Sequence, residues 1–161
     1  MKADERELRK FLVKAKKATY SAGDLAKSIK QKDGSTTMVF EDGDWRYHDN
    51  YFGGEPYGGR EVVLFKNKPV WMMVYYGLVY STVTAEDIQK IYKTLQDALS
   101  RVLEIVPFRG PAVHDAKNGM IYINHYECMR VDNFSGFEEI YTKDGKQLYK
   151  ASYAGGYVAQ R

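Results

Sequence analysis

The chain has 161 residues, which is enough for one ordinary hydrophobic core or two small fused halves and too few for several independent domains. Its composition, 44% hydrophobic and 28% charged with a net charge of +3, is typical of a globular protein. The single cysteine, Cys128, excludes an intramolecular disulfide framework and cannot build a zinc site alone. We therefore predict one compact domain over residues 1–161.

The sequence carries no pattern typical of an exported or membrane protein. The first residues mix charged with apolar side chains and lack the continuous apolar core of a signal peptide. The longest apolar stretch, residues 70–80, is too short to cross a bilayer as a helix. We expect a soluble, cytoplasmic protein with no membrane contact.

The N-terminal segment predicts an amphipathic helix over residues 4–18, with acidic residues in its first turn where they suit the helix dipole. Lys10, Lys14 and Lys17 form a basic stripe opposite its apolar face. Residues 1–32 hold ten basic and four acidic side chains, a balance that would suit contact with phosphates. We interpret the stripe as a solvated surface and predict that the protein does not bind nucleic acid.

The next segment, up to residue 80, alternates strand patterns with turn signals. Leu25 and Ile29, four residues apart, predict a short second helix. The turn residues Asp42 and Gly43, and later residues 66–69, each join two strand patterns into a hairpin, with a glycine-rich loop between the hairpins. The predicted strands are residues 37–40, 45–52, 61–65 and 70–76.

A long helix and four more strands repeat this plan. Apolar residues at a period near 3.6 predict a helix that starts at Thr84 and ends at Pro107. We therefore predict an α+β fold with an internal repeat of residues 4–80 and 84–158, each half a helix plus a four-stranded antiparallel sheet that resembles the cystatin-like grip. The halves join either edge to edge into one curved antiparallel sheet or face to face. The second set of strands is predicted at residues 111–114, 120–128, 137–142 and 147–153.

Aromatic residues recur at a fixed spacing in four of the predicted strands. Each copy has an aromatic residue and, four positions later, a tyrosine, and these positions share one face of a strand. The residues on these faces, with the polar residues between them, are our candidate ligand-binding residues: Tyr47, Asp49, Tyr51, Trp71, Tyr75, Tyr122, Asn124, Tyr126, Tyr149 and Tyr153.

Two interpretations of these aromatic faces stay open. In the first, they converge on a concave sheet as an aromatic pocket for a small molecule, in which Asp49 is the only carboxylate. In the second, they form the core beneath the helices, and each buried tyrosine hydroxyl bonds to backbone or water. Only a pocket with an empty centre favours a functional site.

The residues that most often carry metal or nucleophilic chemistry are poorly spaced for it. His48, His114 and His125 show none of the spacings that place two histidines on one metal ion. Cys128 sits at a predicted strand end with no positive cluster beyond Arg130 to activate it. We predict no metal, no cofactor and no assigned catalytic residue.

Four stretches of the chain resemble a known family: YHDNYFGG at residues 47–54, GREVV at 59–63, KPVWMMVYYG at 68–77 and FRGP at 108–111. The likeness is to an uncharacterised bacterial and archaeal domain family, a domain of unknown function, and runs from about Leu8 to Tyr157. The resemblance implies a domain that is found alone or behind Xre-type helix-turn-helix modules. It implies no catalytic residues, and we expect this chain to be the stand-alone form.

Three functions follow as hypotheses. The first is a sensor or interaction module that binds a small molecule or a protein partner through the aromatic faces, which the association with DNA-binding modules favours by analogy. The second is a small enzyme in which Asp49, with Tyr47, Tyr51 or Tyr75, transfers protons. The third is a homodimer that pairs through an open sheet edge.

Overall fold

The computed structural model describes residues 4–159 and contains one antiparallel sheet of nine strands with two α-helices. The helices are α1 (Glu5–Ala18) and α2 (Ala85–Ser100), and a 3₁₀ helix spans Tyr20–Leu25. The strands are β1 (Ser28–Lys30), β2 (Thr36–Asp42), β3 (Trp45–Gly53), β4 (Tyr57–Phe65), β5 (Lys68–Val79), β6 (Val113–Asp115), β7 (Met120–Tyr126), β8 (Asn133–Thr142) and β9 (Gln147–Tyr157). The α+β class and the antiparallel sheet are thus confirmed.

The two parts of the chain meet in the middle of this sheet. The strand order is β1-β2-β3-β4-β5-β9-β8-β7-β6, so the last strand of each part pairs with the other, with Tyr75 opposite Tyr153. The parts therefore join edge to edge, which the sequence left open. The internal repeat and the likeness of each half to the cystatin grip stay predictions, and the first part contributes five strands instead of the predicted four.

The fifth strand replaces the short helix that we predicted around Leu25 and Ile29, and that prediction is wrong. Ile29 lies in β1 and pairs with Thr37 of β2. A helix through this segment is interrupted at Gly23, whose φ of +59° is a left-handed conformation that glycine adopts without strain. Residues 28–30 are then free to add a short edge strand.

The first helix forms as the sequence predicts and covers one face of the sheet. The Asp4 side chain accepts a 3.0 Å hydrogen bond from the Glu7 backbone N–H and so caps the helix start. The apolar face of α1 packs against Tyr47, Val63 and Trp71 on the inner face of the sheet. This core cluster also contains residues from the second part of the chain: Val106, Phe108, Val131, Phe134 and Tyr153.

The second helix starts at its predicted cap but ends earlier than predicted. Thr84 caps α2 by accepting from the Asp87 backbone N–H, and the helix ends at Ser100 instead of continuing to Pro107. Val102 and Val106 are still buried, because the chain continues across the core in an irregular segment. Apolar spacing alone does not distinguish such a buried segment from a helix.

The α2 helix covers the other end of the same sheet face, against Tyr122, Ile140 and Tyr149. The opposite sheet face exposes Phe52, Val74 and Tyr76. Within residues 4–159, no helix has the length and apolar character needed to cross a membrane.

Candidate functional site

A cavity of about 240 Å³ lies between the two helices and the centre of the sheet. Its floor comes from β3, β4 and β5, and its walls come from the C-terminal end of α1, the 3₁₀ helix, α2 and the segment after α2. The lining residues are Lys16, Thr19, Tyr20, Ser21, Lys30, Tyr47, Asp49, Tyr51, Gly53, Gly54, Tyr57, Glu61, Tyr75, Tyr92, Leu99, Phe108 and Arg109.

The strand pleat places the floor residues of β3 side by side. Tyr47, Asp49 and Tyr51 alternate along the strand and line the cavity together, as the sequence spacing predicts. In the register of β3 with β4, Asp49 lies directly opposite Glu61. Two buried carboxyl groups therefore share one face of the sheet, at 4% and 3% exposure.

The Tyr75 side chain reaches Asp49 by crossing over a glycine. Gly59 of β4 lies opposite Tyr75 in the register, and the Tyr75 hydroxyl donates a 2.6 Å hydrogen bond to Asp49 Oδ1. A Cβ atom at Gly59 would lie only 2.7 Å from the Tyr75 Oη. Glycine is required here because the tyrosine ring occupies the space of its side chain.

The carboxyl group of Asp49 is held in an environment that disfavours its charge. Burial raises its pKa to about 7, with a further contribution from Glu61, while the hydrogen bond from Tyr75 and the charge of Lys16 act in the other direction. Glu61 has a direct partner, because the buried Lys16 of α1 donates to it. Burial lowers the pKa of Lys16, and Glu61 opposes that shift.

A second buried ion pair adjoins the cavity, with Arg109 in the lining and Glu138 outside it. Arg109 donates two hydrogen bonds to Glu138, one of them 3.1 Å from Nε, and both residues are buried. Burial alone would lower the pKa of Arg109, but Glu138 together with Tyr57 and Tyr149 outweighs it and holds that pKa above its usual value. Tyr122 and Tyr149 also donate to Glu138, at 2.6 and 3.1 Å. The Arg109 guanidinium lies 5.6 Å from the centre of the Tyr75 ring.

Of the ten candidate residues from the sequence, four line the cavity: Tyr47, Asp49, Tyr51 and Tyr75. The others lie elsewhere on the same sheet face. Trp71 is core and donates to the Val131 carbonyl at 3.0 Å. Asn124 donates to the Gly110 carbonyl and accepts from Tyr153, both at 2.8 Å. The four aromatic faces, whose convergence on one pocket was one of two open interpretations, do not all line this cavity, because α2 packs directly on the second part of the sheet. The remaining residues outside the cavity lining are Tyr122, Tyr126 and Tyr149.

Comparison with models of known families shows which family the chain belongs to. The domain of unknown function DUF5680 matches residues 49–158. The chain belongs to this family. No curated protein and no solved structure matches it. The resemblance found in the sequence is confirmed as far as a domain of unknown function, and the association with helix-turn-helix modules stays a prediction.

The DUF5680 match covers most of the cavity floor and Arg109, which lies in the FRGP stretch. It leaves out Tyr47, at the edge of the floor, and Lys16 and Tyr20, which α1 and the 3₁₀ helix supply. The part of the DUF5680 cavity inside the match therefore includes Asp49, Glu61 and Arg109.

Sequence reasoning missed several lining residues of this DUF5680 cavity, and four of them are charged: Lys16, Lys30, Glu61 and Arg109. Lys16 falls four residues after Leu12 on the apolar face of α1, which was an available signal for a buried lysine. Arg109 stands alone as a charge between Phe108 and Gly110. Glu61 gave no local signal, since its position opposite Asp49 depends on strand register. The uncharged residues that were missed include Tyr20, Tyr57 and Tyr92.

The histidines lie away from the cavity. His48 is half-buried, and burial lowers its pKa. His114 and His125 approach Asp97 and Glu139, at 2.7 and 3.1 Å. Among the described residues, no group of three or more potential ligands could hold a metal ion.

Proposed function

We propose that this DUF5680 domain binds a small organic molecule in the cavity at the centre of its sheet. The observation that supports the proposal is an aromatic cavity lined by four buried ionisable side chains: Lys16, Asp49, Glu61 and Arg109. Burying ionisable groups lowers stability unless each is neutral or compensated, so their concentration at one cavity favours a role in recognition. A cavity of 150 Å³ is enough for benzene, and this one, at about 240 Å³, suits a substituted single ring.

The cavity has an approach from outside. A wider groove between the 3₁₀ helix, β1 and α2 shares three of its lining residues, Tyr20, Tyr51 and Tyr92. These tyrosines stand between the groove and the buried charges. A ligand that enters by the groove passes three aromatic side chains with polar ends, which suit both a wet entrance and an apolar interior.

The biological role that follows is that of a sensor. If relatives are joined to DNA-binding modules, as the sequence resemblance implies, a ligand-binding domain of this kind supplies the signal input. Recognition of a protein partner and pairing of two copies through the sheet edge at β1 or β6 stay hypotheses of the sequence.

Native mass spectrometry of the freshly purified protein, compared with the same sample after denaturation, tests the proposal. We expect a small-molecule adduct that is released on unfolding. The Gly54→Trp variant should lose the adduct. Gly54 lines the cavity, is exposed, and has nothing within 4 Å of an added Cβ, so the tryptophan narrows the cavity entrance without disturbing the fold. Lys68→Trp, at the exposed first residue of β5, is the control and should retain the adduct.

Two results together would contradict the proposal: no adduct in native mass spectrometry, and no binding of any member of a fragment library in ligand-observed NMR. Equal binding by the natural protein and Gly54→Trp would place the ligand elsewhere.

An enzyme is the second candidate, because the pKa of Asp49 lies near 7 and its hydroxyl neighbour Tyr75 is 2.6 Å away. A carboxyl group with that pKa exchanges protons efficiently at neutral pH. One variant distinguishes the two functions. Asp49→Asn abolishes turnover of a bound molecule if Asp49 is an acid or base, whereas a binding module has no turnover to lose.

A further inference from the structure

The strongest clue to the ligand is a comparison between two equivalent positions of the sheet. Asp49 lies opposite Glu61, and Asn124 lies opposite Glu138. Each then accepts a hydrogen bond from a tyrosine hydroxyl two strands away, Asp49 from Tyr75 and Asn124 from Tyr153. The surroundings match, yet one position carries an acid and the other its neutral amide.

The acid occupies the position that lines the cavity, and the amide occupies the position that does not. Asn124 lies outside it, and its Nδ2 donates to the Gly110 carbonyl, so both ends of the amide are bonded. Asp49 lines the cavity and presents Oδ2 where Asn124 has its Nδ2. No side chain or backbone N–H among the described residues donates a hydrogen bond to Asp49 Oδ2. Since no buried side-chain N or O atom of the described residues lacks a partner, this oxygen is accessible from the cavity, where a donor from outside the chain can reach it.

Counting charges gives the sign of that partner. Glu61 is paired with Lys16 and Glu138 with Arg109, so each cation of the buried set already has a carboxylate. Lys30, the third cation in the cavity lining, is exposed and donates to the Thr36 hydroxyl instead of to Asp49. Asp49 is the carboxyl group left without one. A positive charge in the cavity would therefore complete the set, whereas an anion would add a second uncompensated negative charge.

The rest of the lining suits a cation as well. Six tyrosine side chains line the cavity, and the faces of aromatic rings attract organic cations. The protein already uses this attraction, since Arg109 lies over the Tyr75 ring and Lys16 lies 6.0 Å from the centre of the Tyr47 ring. The six are Tyr20, Tyr47, Tyr51, Tyr57, Tyr75 and Tyr92.

We propose, building on the binding function above, that the cavity selects a small organic cation with N–H donors, a protonated amine or an amidinium, and that Asp49 is its charge partner. Donors of this kind bond to the free Oδ2, and the carbon frame of the ligand packs among the tyrosines. A carboxylate-to-cation hydrogen bond is among the stronger polar contacts available to a buried site.

A cation and a proton compete for Asp49, so the affinity for the cation depends on pH. The groups that face Asp49 are Glu61 from β4, Tyr75 from β5, Lys16 from α1 and Arg109 from the segment after α2, together with Tyr47 on its own strand. Without ligand, Asp49 holds a proton below about pH 7. A cation displaces that proton, so its affinity falls about tenfold for each pH unit below 7 and is constant above it.

Isothermal titration calorimetry with matched probes tests the inference: benzylamine against benzyl alcohol, benzamidine against benzamide, and benzoate as the anion. At pH 8 we expect each cation to bind about tenfold or more tightly than its neutral counterpart. At pH 6 that preference should shrink, and titrations in buffers of different ionisation enthalpy should show about one proton released per cation bound. The proton count is measured on the natural protein and needs no variant.

Asp49→Asn should abolish the preference for cations and the proton release while retaining the neutral probes. Asp115→Asn, which removes an exposed carboxylate outside the cavity, is the control for long-range charge and should leave both unchanged.

Equal binding of cations and neutral probes, or tightest binding of benzoate, would overturn the inference and leave the binding function standing. A co-purified ligand that proves neutral or anionic would do the same. Binding of none of the five probes, together with a bare protein in native mass spectrometry and no hit in the fragment screen, would overturn both.

Discussion

Asp49 illustrates how a single buried group links stability to pH. Its pKa in the folded protein is about 7, against an ordinary value of 3.8, so the folded state holds the proton more tightly than the unfolded chain does. Between these two values, rising pH removes the proton from the unfolded chain first and so lowers the free energy of unfolding. This contribution becomes complete only above about pH 7, where it reaches about 4 kcal/mol.

Asp49→Asn should therefore raise the free energy of unfolding at pH 8 by up to about 4 kcal/mol and leave it nearly unchanged at about pH 3, where the natural residue is mostly protonated in both states. Urea unfolding at the two pH values measures the difference. Asp115→Asn serves as the exposed control. An equal loss of stability at both pH values would show that Asp49 is ionised and compensated in the folded protein.

Removal of the buried Arg109 side chain should lower the free energy of unfolding strongly. Its guanidinium compensates the buried Glu138, and without it that carboxylate would keep only its hydrogen bonds to tyrosines. We expect Arg109→Met to lower the free energy of unfolding by about 3–5 kcal/mol, measured by urea unfolding. Lys14→Met is the comparison, since Lys14 forms an exposed pair with Asp42 and its loss should have no measurable effect. Similar results for the two variants would contradict a charged Glu138.

At the scale of single elements, the site depends on the close approach of the Tyr75 side chain to β4 at Gly59. An added Cβ at Gly59 would lie 2.5 Å from the Asn50 carbonyl oxygen as well as close to Tyr75. The backbone atom cannot move without shifting β3 against β4, so the cost falls on the strand pairing and on the Tyr75–Asp49 hydrogen bond together.

Gly59→Ala should lower the free energy of unfolding by about 1–3 kcal/mol and move the pH dependence that Asp49 contributes. Urea unfolding at pH 5 and pH 8 measures both effects. Gly54→Ala, where an added Cβ meets open space, is the matched control and should be neutral. An unchanged stability for Gly59→Ala would mean that the tyrosine ring has another low-energy position.

The elements themselves follow from local signals to different degrees. The start of α1 at Asp4 and of α2 at Thr84 could be predicted, because capping depends on side chains within three residues. The end of α2 and the strand at Ile29 could not, since burial of Val102 and pairing of β1 with β2 involve contacts made only in the folded chain.

At the scale of the whole molecule, the two parts of the chain share one core. The cluster beneath α1 takes Phe108, Phe134 and Tyr153 from the second part, and β5 and β9 pair along nine residues. Separating the parts would expose both this apolar surface and two strand edges.

We therefore expect neither residues 1–83 nor residues 84–161 to fold as a stable monomer, and an equimolar mixture to regain sheet structure. Circular dichroism and two-dimensional NMR of each fragment and of the mixture measure this. A dispersed spectrum from residues 1–83 alone would contradict a shared core and would favour two autonomous halves.

The sequence by itself determined which side chains share a strand face, because that depends only on the two-residue period of a strand. It placed Tyr47, Asp49 and Tyr51 together for this reason, and its local motifs indicated a domain of unknown function. Only the tertiary structure decided that these residues line a cavity while Tyr122 and Asn124 do not. The cavity depends on where α1, α2 and the segment carrying Arg109 cross the sheet, and on a strand register that sets Glu61 beside Asp49, which are contacts between residues far apart in the chain.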